Sequence, residues 1–224
     1  MALFRRPRSW SRYVALGDSL TAGRGDTGPD GQRIGWARRL TSILADRTGS
    51  ACLLTNLATD GATVGRVLAE QVPQLDGMTP DLVSATVGMN DLRAAQFSLA
   101  EFSAGLGQLF DALADTGGTV LTCTLPDIAD VIGLPAEHVG IARRRLSAAS
   151  DIIREQAARC GAVCLDTWVM TDVATRPELF TTDRLHPNAS GHGMLAAAFA
   201  DLLLPGEEAA CAPGNARRLP SCSG

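Results

Sequence analysis

Short apolar runs alternate with segments of helical period along nearly the whole chain, and this alternation restricts the fold more than any other feature. Residues 13–16, 52–57, 82–87, 119–124 and 162–166 are short, β-rich and bounded by Gly, Pro or Asp, which predicts strands. Between and after them, residues 36–47, 64–75, 99–115, 139–159 and 189–204 repeat apolar side chains at helical spacing. Pro73 interrupts the second of these segments, and Pro205 ends the last. A strand that is followed by a helix and then by another strand returns parallel to itself. The expected fold is therefore α/β, a three-layer α/β/α arrangement around a five-stranded parallel sheet, with the flavodoxin-like order 2-1-3-4-5.

A length of 224 residues suits one such domain. We read residues 1–11 as an N-terminal extension and 12–205 as the domain. Residues 206–224, rich in Gly, Pro, Ala and Ser without periodicity, are expected to form a disordered tail. The N-terminus is basic but has no apolar run behind its arginines, and no segment reaches the length of a membrane span. A cytoplasmic location without a membrane span is the expectation. A formal net charge of -4 gives no reason to expect nucleic acid as a partner.

All 20 basic residues are Arg. Without Lys, the chain cannot be a P-loop NTPase, a pyridoxal enzyme or a Ser-Lys hydrolase. A response-regulator receiver would also need a Lys beside its acidic pocket, so Asp18, Asp91 and Asp127 do not make one. The cysteines lack zinc-site or thioredoxin spacing. Cys52, Cys123 and Cys164 fall in expected strands and read as small core residues, whereas Cys211 and Cys222 could pair only in an oxidising setting. No metal and no cofactor are expected.

Four polar clusters each follow an expected strand or its excursion: Gly17-Asp18-Ser19-Leu20, the stretch 56–63 around Gly61, Gly88-Met89-Asn90-Asp91, and Asp183-Arg184-Leu185-His186-Pro187. Ligands of open α/β sheets bind outside the carboxyl ends of the strands, so these clusters should converge on one crevice. Their chemistry is complementary. A serine hydroxyl becomes a useful nucleophile when a base takes its proton, and a carboxylate fixes the tautomer of a histidine base. Ser19, His186 and Asp183 can fill those positions. The backbone N–H groups of Ser19 and Gly61 and the side-chain amide of Asn90 can serve as an oxyanion hole.

Taken together, the four clusters resemble the blocks of the SGNH/GDSL hydrolase family, and the resemblance runs from about residue 13 to residue 200. Gly17-Asp18-Ser19-Leu20 matches the GDSL signature, Gly88-Met89-Asn90-Asp91 the Gly-x-Asn-Asp block, and Asp183-Arg184-Leu185-His186 the Asp-x-x-His block. The block around Gly61 departs from the pattern, with Ala58 and Asp60 where Gly and Ser are common; Asp60 should point away from a developing anion. The resemblance implies an ester hydrolase, of the carboxylesterase, lipase or deacylase kind, acting on a small-molecule ester through an acyl-enzyme. The alternative is a non-catalytic ligand-binding module that retains the fold.

Competing readings of single residues are weaker. Ser19 could cap a helix, and Asp183 could merely shape a turn. Asp18 and Asp91 read as residues that hold their loops through local hydrogen bonds. His192 reads as structural and His138 as solvated. Gly23-Arg-Gly25-Asp-Thr-Gly28 matches a dinucleotide fingerprint literally, but it starts too far from the strand and runs into turn residues, so it reads as a loop beside the site. The α/β-hydrolase elbow Gly-x-Ser-x-Gly is excluded by Thr21 at its last position. Two stretches are candidates to line an acyl pocket: Ile128, Val131, Ile132 and Leu134, and Trp168, Val169 and Met170. The short loops favour an open site for small or medium acyl groups.

Overall fold

Alternation of side chains along the strands sets the two faces of the sheet. In β1 (Arg12–Gly17), Tyr13 and Ala15 pack into one apolar cluster and Val14 and Leu16 into another. The computed structural model describes residues 9–94, 96–170 and 176–205. The strands β1, β2 (Leu53–Asn56), β3 (Leu82–Thr86), β4 (Thr119–Cys123) and β5 (Val163–Leu165) form one sheet in the order β2-β1-β3-β4-β5. Every pairing is parallel. The expected three-layer α/β/α fold and the 2-1-3-4-5 order are both found.

On one face lie α1 (Gly35–Thr48) and the final helix, called α6 here (Ala189–Leu203). Trp36 of α1 stacks on Phe199 of α6 with ring centroids 4.6 Å apart. Trp10 is buried in the same cluster, and Asp81 accepts the N–H groups of Ser11 and Arg12. The domain expected from residue 12 thus draws Trp10 into its core. The opposite face carries α4 (Leu99–Ala114) and α5 (Ala136–Cys160). Ser98 caps α4 by accepting from Glu101 N–H, and Asn188 caps α6 by accepting from Ser190 and Gly191. The tail 206–224, with Cys211 and Cys222, and residues 1–8 of the extension lie outside the described residues.

The segment 64–75, expected as a helix interrupted by Pro73, is interrupted there and also changes its helical form before that point. It begins as one α-turn, α2 (Val64–Arg66), passes through a π-turn (Val67–Gln71) and tightens into a 3₁₀ turn (Val72–Leu75) around Pro73. The extra residue of a π-turn rotates the side chains after it, and such turns are frequent at functional sites. Here it presents Gln71, buried, to the end of β1. Gln71 Oε1 accepts from Gly17 N–H at 2.8 Å, and Nε2 donates to Gly17 C=O at 2.9 Å. Strand β2 pairs with β1 as far as Ala15; beyond it Thr59 N–H donates to Gly17 C=O at 3.2 Å, and Gln71 supplies the acceptor that Gly17 N–H otherwise lacks.

Removing that amide strands the Gly17 N–H. Gln71→Leu, which fills the volume but cannot bond, is expected to lose about 2 kcal/mol of stability, or about 4–8 °C in Tm. Thermal unfolding of the variant beside its parent measures this. An unchanged Tm would show that the clamp is dispensable.

Candidate active site

Two glycines let the β1–α1 and β3–α4 connections turn sharply over the sheet. Gly17 has φ +139, and a Cβ there would lie 2.3 Å from Thr86 C=O. Gly88 has φ +131, with its Cβ position 3.0 Å from the ring of Phe102. These turns lift Ser19 from β1 and Asn90 from the short helix α3 (Met89–Leu92) above neighbouring strands.

The loop 181–188 brings the other groups. Asp183 Oδ1 accepts from Thr181 Oγ1, Leu185 N–H and His186 N–H at 2.7, 2.9 and 3.0 Å. Arg184 between them has φ +58, the one non-glycine with positive φ among the described residues. That left-handed step reverses the chain so that His186 returns over Asp183. His186 Nδ1 lies 2.6 Å from Asp183 Oδ2, and Nε2 lies 2.8 Å from Ser19 Oγ. A carboxylate on Nδ1 fixes the proton there and leaves Nε2 to accept from the serine. Burial works against the Asp183 charge. The hydrogen bonds from His186 N–H, Thr181, the His186 ring and Leu185 N–H outweigh it and hold the carboxyl well below the usual range.

The glycine-rich loop proves to be packing. A Cβ on Gly25 would lie 2.1 Å from Pro187 C=O, and one on Gly35 would meet Gly23 Cα at 2.5 Å. His192, fully buried on α6, fastens the loop: Trp36 N–H donates to Nδ1 at 3.1 Å, and Nε2 donates to Arg24 C=O at 2.9 Å. Burial lowers its pKa, in keeping with a neutral ring in this bridging position. Asp26, also buried, accepts two bonds from Arg39 and one from Gly35 N–H. His138 is exposed.

Ser19, His186, Gly61 and Asn90 line one cavity of about 280 Å³. Among the described residues, the N–H groups of Ser19 and Gly61 have no hydrogen-bond acceptor. The Asn90 amide is engaged: Nδ2 donates to Ala62 C=O at 3.0 Å and to Asp18 Oδ2 at 3.3 Å. Asp91 accepts from Val64 N–H and ties α3 to the loop carrying Gly61. Asp60 is held by Arg33 at 2.5 and 2.9 Å, with Arg24 at 3.8 Å. Of the proposed pocket residues, Ile128 and Met170 line the cavity. Val131, Ile132, Leu134, Trp168 and Val169 do not: Val169 and Leu134 are exposed, and Trp168 packs on the core. No group of His, Cys, Asp and Glu among the described residues could hold a metal ion.

The model of the GDSL-like Lipase/Acylhydrolase family matches residues 15–194. The chain belongs to that family. Among curated proteins no relative matches this sequence. Its fold is similar to that of LAE5, an α/β hydrolase enzyme from the metagenome of Lake Arreo, Spain: TM-score 0.70, 24% identity, 87% of this chain and 95% of that one. It is similar also to Axe2, an acetylxylan esterase from Geobacillus stearothermophilus: TM-score 0.68, 21% identity, 88% and 96%. A lipase/acylhydrolase from Enterococcus faecalis matches with TM-score 0.66, 18% identity, 85% and 93%. Two Axe2 structures with alanine at a serine and at a histidine are described as catalytic mutants. No described helix is long and apolar enough to cross a membrane.

Asp18 does more than form the local turn bonds expected of it. It is buried beside Ser19, and desolvation pushes its pKa up to about 7 despite the bond from Leu20 N–H, with Asp91 and Asp60 adding to the rise. The folded state therefore keeps a proton that the unfolded chain releases above about 3.9. Stability falls as pH climbs from there to about 7 and then levels off. Asp18→Asn abolishes this loss, so its Tm relative to the parent is expected to be higher at pH 8 than at pH 5. A difference that does not change with pH would show that Asp18 does not titrate in this window.

Proposed function

We propose that the protein is a serine ester hydrolase in which Ser19 is the nucleophile, His186 the base and Asp183 its orienting carboxylate. The observation that carries this reading is the unbroken hydrogen-bond chain from Asp183 through His186 to Ser19, opening on an apolar cavity. The serine and histidine whose alanine variants are called catalytic mutants in Axe2 lend it support.

His186 Nε2 takes the Ser19 proton while Oγ bonds to the ester carbonyl carbon. The carbonyl oxygen gathers negative charge and is met by the N–H groups of Ser19 and Gly61 and by the Asn90 amide. As the intermediate collapses, the bond to the alcohol oxygen breaks and the alcohol leaves with the proton from His186. Water then gives a proton to His186 and attacks the acyl carbon, releasing the acid and restoring Ser19. Asn90 keeps one hydrogen on Ala62 C=O, and the other turns from Asp18 to the oxyanion. A protonated Asp18 is a weaker competitor for that hydrogen than a carboxylate. The ion pair with Arg33 keeps the Asp60 charge from opposing the anion.

Ser19→Ala is expected to fold with an unchanged Tm and to lose several orders of magnitude in kcat. The parent should form one fluorophosphonate adduct, located on Ser19 by peptide mass spectrometry. A chain that binds ester ligands but neither turns them over nor takes the label would be the non-catalytic module instead.

Asn90→Ala tests the oxyanion hole apart from the triad. A donor used mainly in the transition state affects kcat more than KM. The expected loss is about 10²- to 10³-fold in kcat, with KM changed only a few-fold and the fluorophosphonate still reacting. If Asn90 merely braces its loop, the activity loss will instead track a lowered Tm.

A further inference from the structure

The cavity beside Ser19 is polar at one end and apolar through the rest. Asp18, Gly61 and Asn90 meet Ser19 at the polar end, and the exposed Arg24 and Arg93 lie on its lining. The remainder runs past the ends of β3, β4 and β5 to α6, along Met89, Leu125, Ile128, Met170, Phe180 and Met194. Three of the chain's five methionines are here. Met89, Met170 and Met194 are each part-buried; Met89 and Met170 pack against the core clusters on one side and border the cavity on the other. Unbranched thioether side chains adapt to partners of differing length and shape.

An occupant of this space needs apolar surface and little polarity. A sugar would present hydroxyls to a wall that offers few partners, and Phe180 is the one Phe, Tyr or Trp among the described lining residues. An alkyl chain meets the wall on its own terms. A dry cavity of about 150 Å³ holds benzene, so one of about 280 Å³ has room for roughly eleven carbon-sized atoms, the ester group included. The open side lies by Gly61, which is exposed and has no atom within 4 Å of where a Cβ would stand. The alcohol must leave after the first step, so it belongs on that open side, and the acyl chain belongs in the enclosed apolar part.

We propose that this apolar cavity is the acyl pocket and that the preferred substrates are esters of medium-chain acids, about six to ten carbons long. The proposal rests on Ser19 being the nucleophile and goes further by assigning the side of the ester that sets specificity. Arg24 and Arg93 then face the alcohol side.

The test is a series of p-nitrophenyl esters from acetate to myristate, where the leaving group stays constant and only the acyl chain varies. For the full chain, kcat/KM is expected to rise by up to about fourfold per methylene, to peak between hexanoate and decanoate, and to fall beyond. Met194→Trp should move the peak to shorter chains and cut the octanoate-to-acetate ratio at least tenfold; Met194→Ala should move it to longer chains. If Met194→Trp fails to fold, as its Tm would show, Met170→Phe narrows the same space from the β5 side. Ethyl octanoate should also be preferred to octyl acetate. Hydrolysis that is fastest on acetate and declines with every methylene, or a profile that neither Met194 variant moves, would overturn the acyl pocket while leaving the hydrolase intact. Preference for octyl acetate would likewise overturn it and place the chain on the alcohol side. No turnover anywhere in the series together with no fluorophosphonate adduct would remove the Ser19 mechanism, and the pocket assignment with it.

Discussion

Gly17 sits where the sheet, the π-turn and the serine-bearing turn meet, and its backbone is gripped from two sides. Its close approach to Thr86 leaves no room for a side chain, and Gln71 bonds both its N–H and its C=O. Asp18 N–H then donates to Thr86 C=O, which fixes the direction in which the chain leaves the strand. Ser19 is presented rigidly because the residues before it cannot rotate. A nucleophile must be held within a fraction of an ångström of its base, and packed backbone does this better than a free loop.

The second half of the site depends on the first through the glycine-rich loop. Residues 23–35 bridge from the Ser19 turn to α1, and they press on Pro187 next to His186. His192 and the Asp26–Arg39 pair pin that loop to α6 and α1. The distance between Ser19 and His186 is thus set by buried contacts on one face of the sheet. The proposed oxyanion donors Gly61 and Asn90 are set on the other, through Asp91 and Val64. The proposed site straddles the crevice between β1 and β3, where helices leave the sheet in opposite directions.

Asp18 shows how a site can hold a cost in stability. A buried carboxyl with two neighbouring acids is expensive to ionise. The Asp18 carboxyl accepts from Leu20 N–H and from the Asn90 amide. An apolar residue there would pack better and leave the amide less well oriented, a common opposition between stability and function.

The strands, the helices and the residues of the candidate site were legible in the sequence. Period-2 and period-3.6 patterns follow directly from backbone geometry, and short polar motifs at strand ends have few other uses. The order 2-1-3-4-5 could be anticipated because parallel connections leave few alternatives. The features that could not be read depend on contacts between distant segments. Gln71 looks like any polar helical residue until the π-turn rotates it onto Gly17, 54 positions away. The cavity wall was only half anticipated. Ile128 and Met170 were found from local apolar runs, but Met89, Phe180 and Met194 come from three other elements, and no local pattern links them. The raised pKa of Asp18 is equally a property of the packed state, since desolvation requires the surrounding atoms to be in place. Local propensity and spacing are written along the chain. Burial, close approach and the shape of a cavity exist only once the chain has met itself.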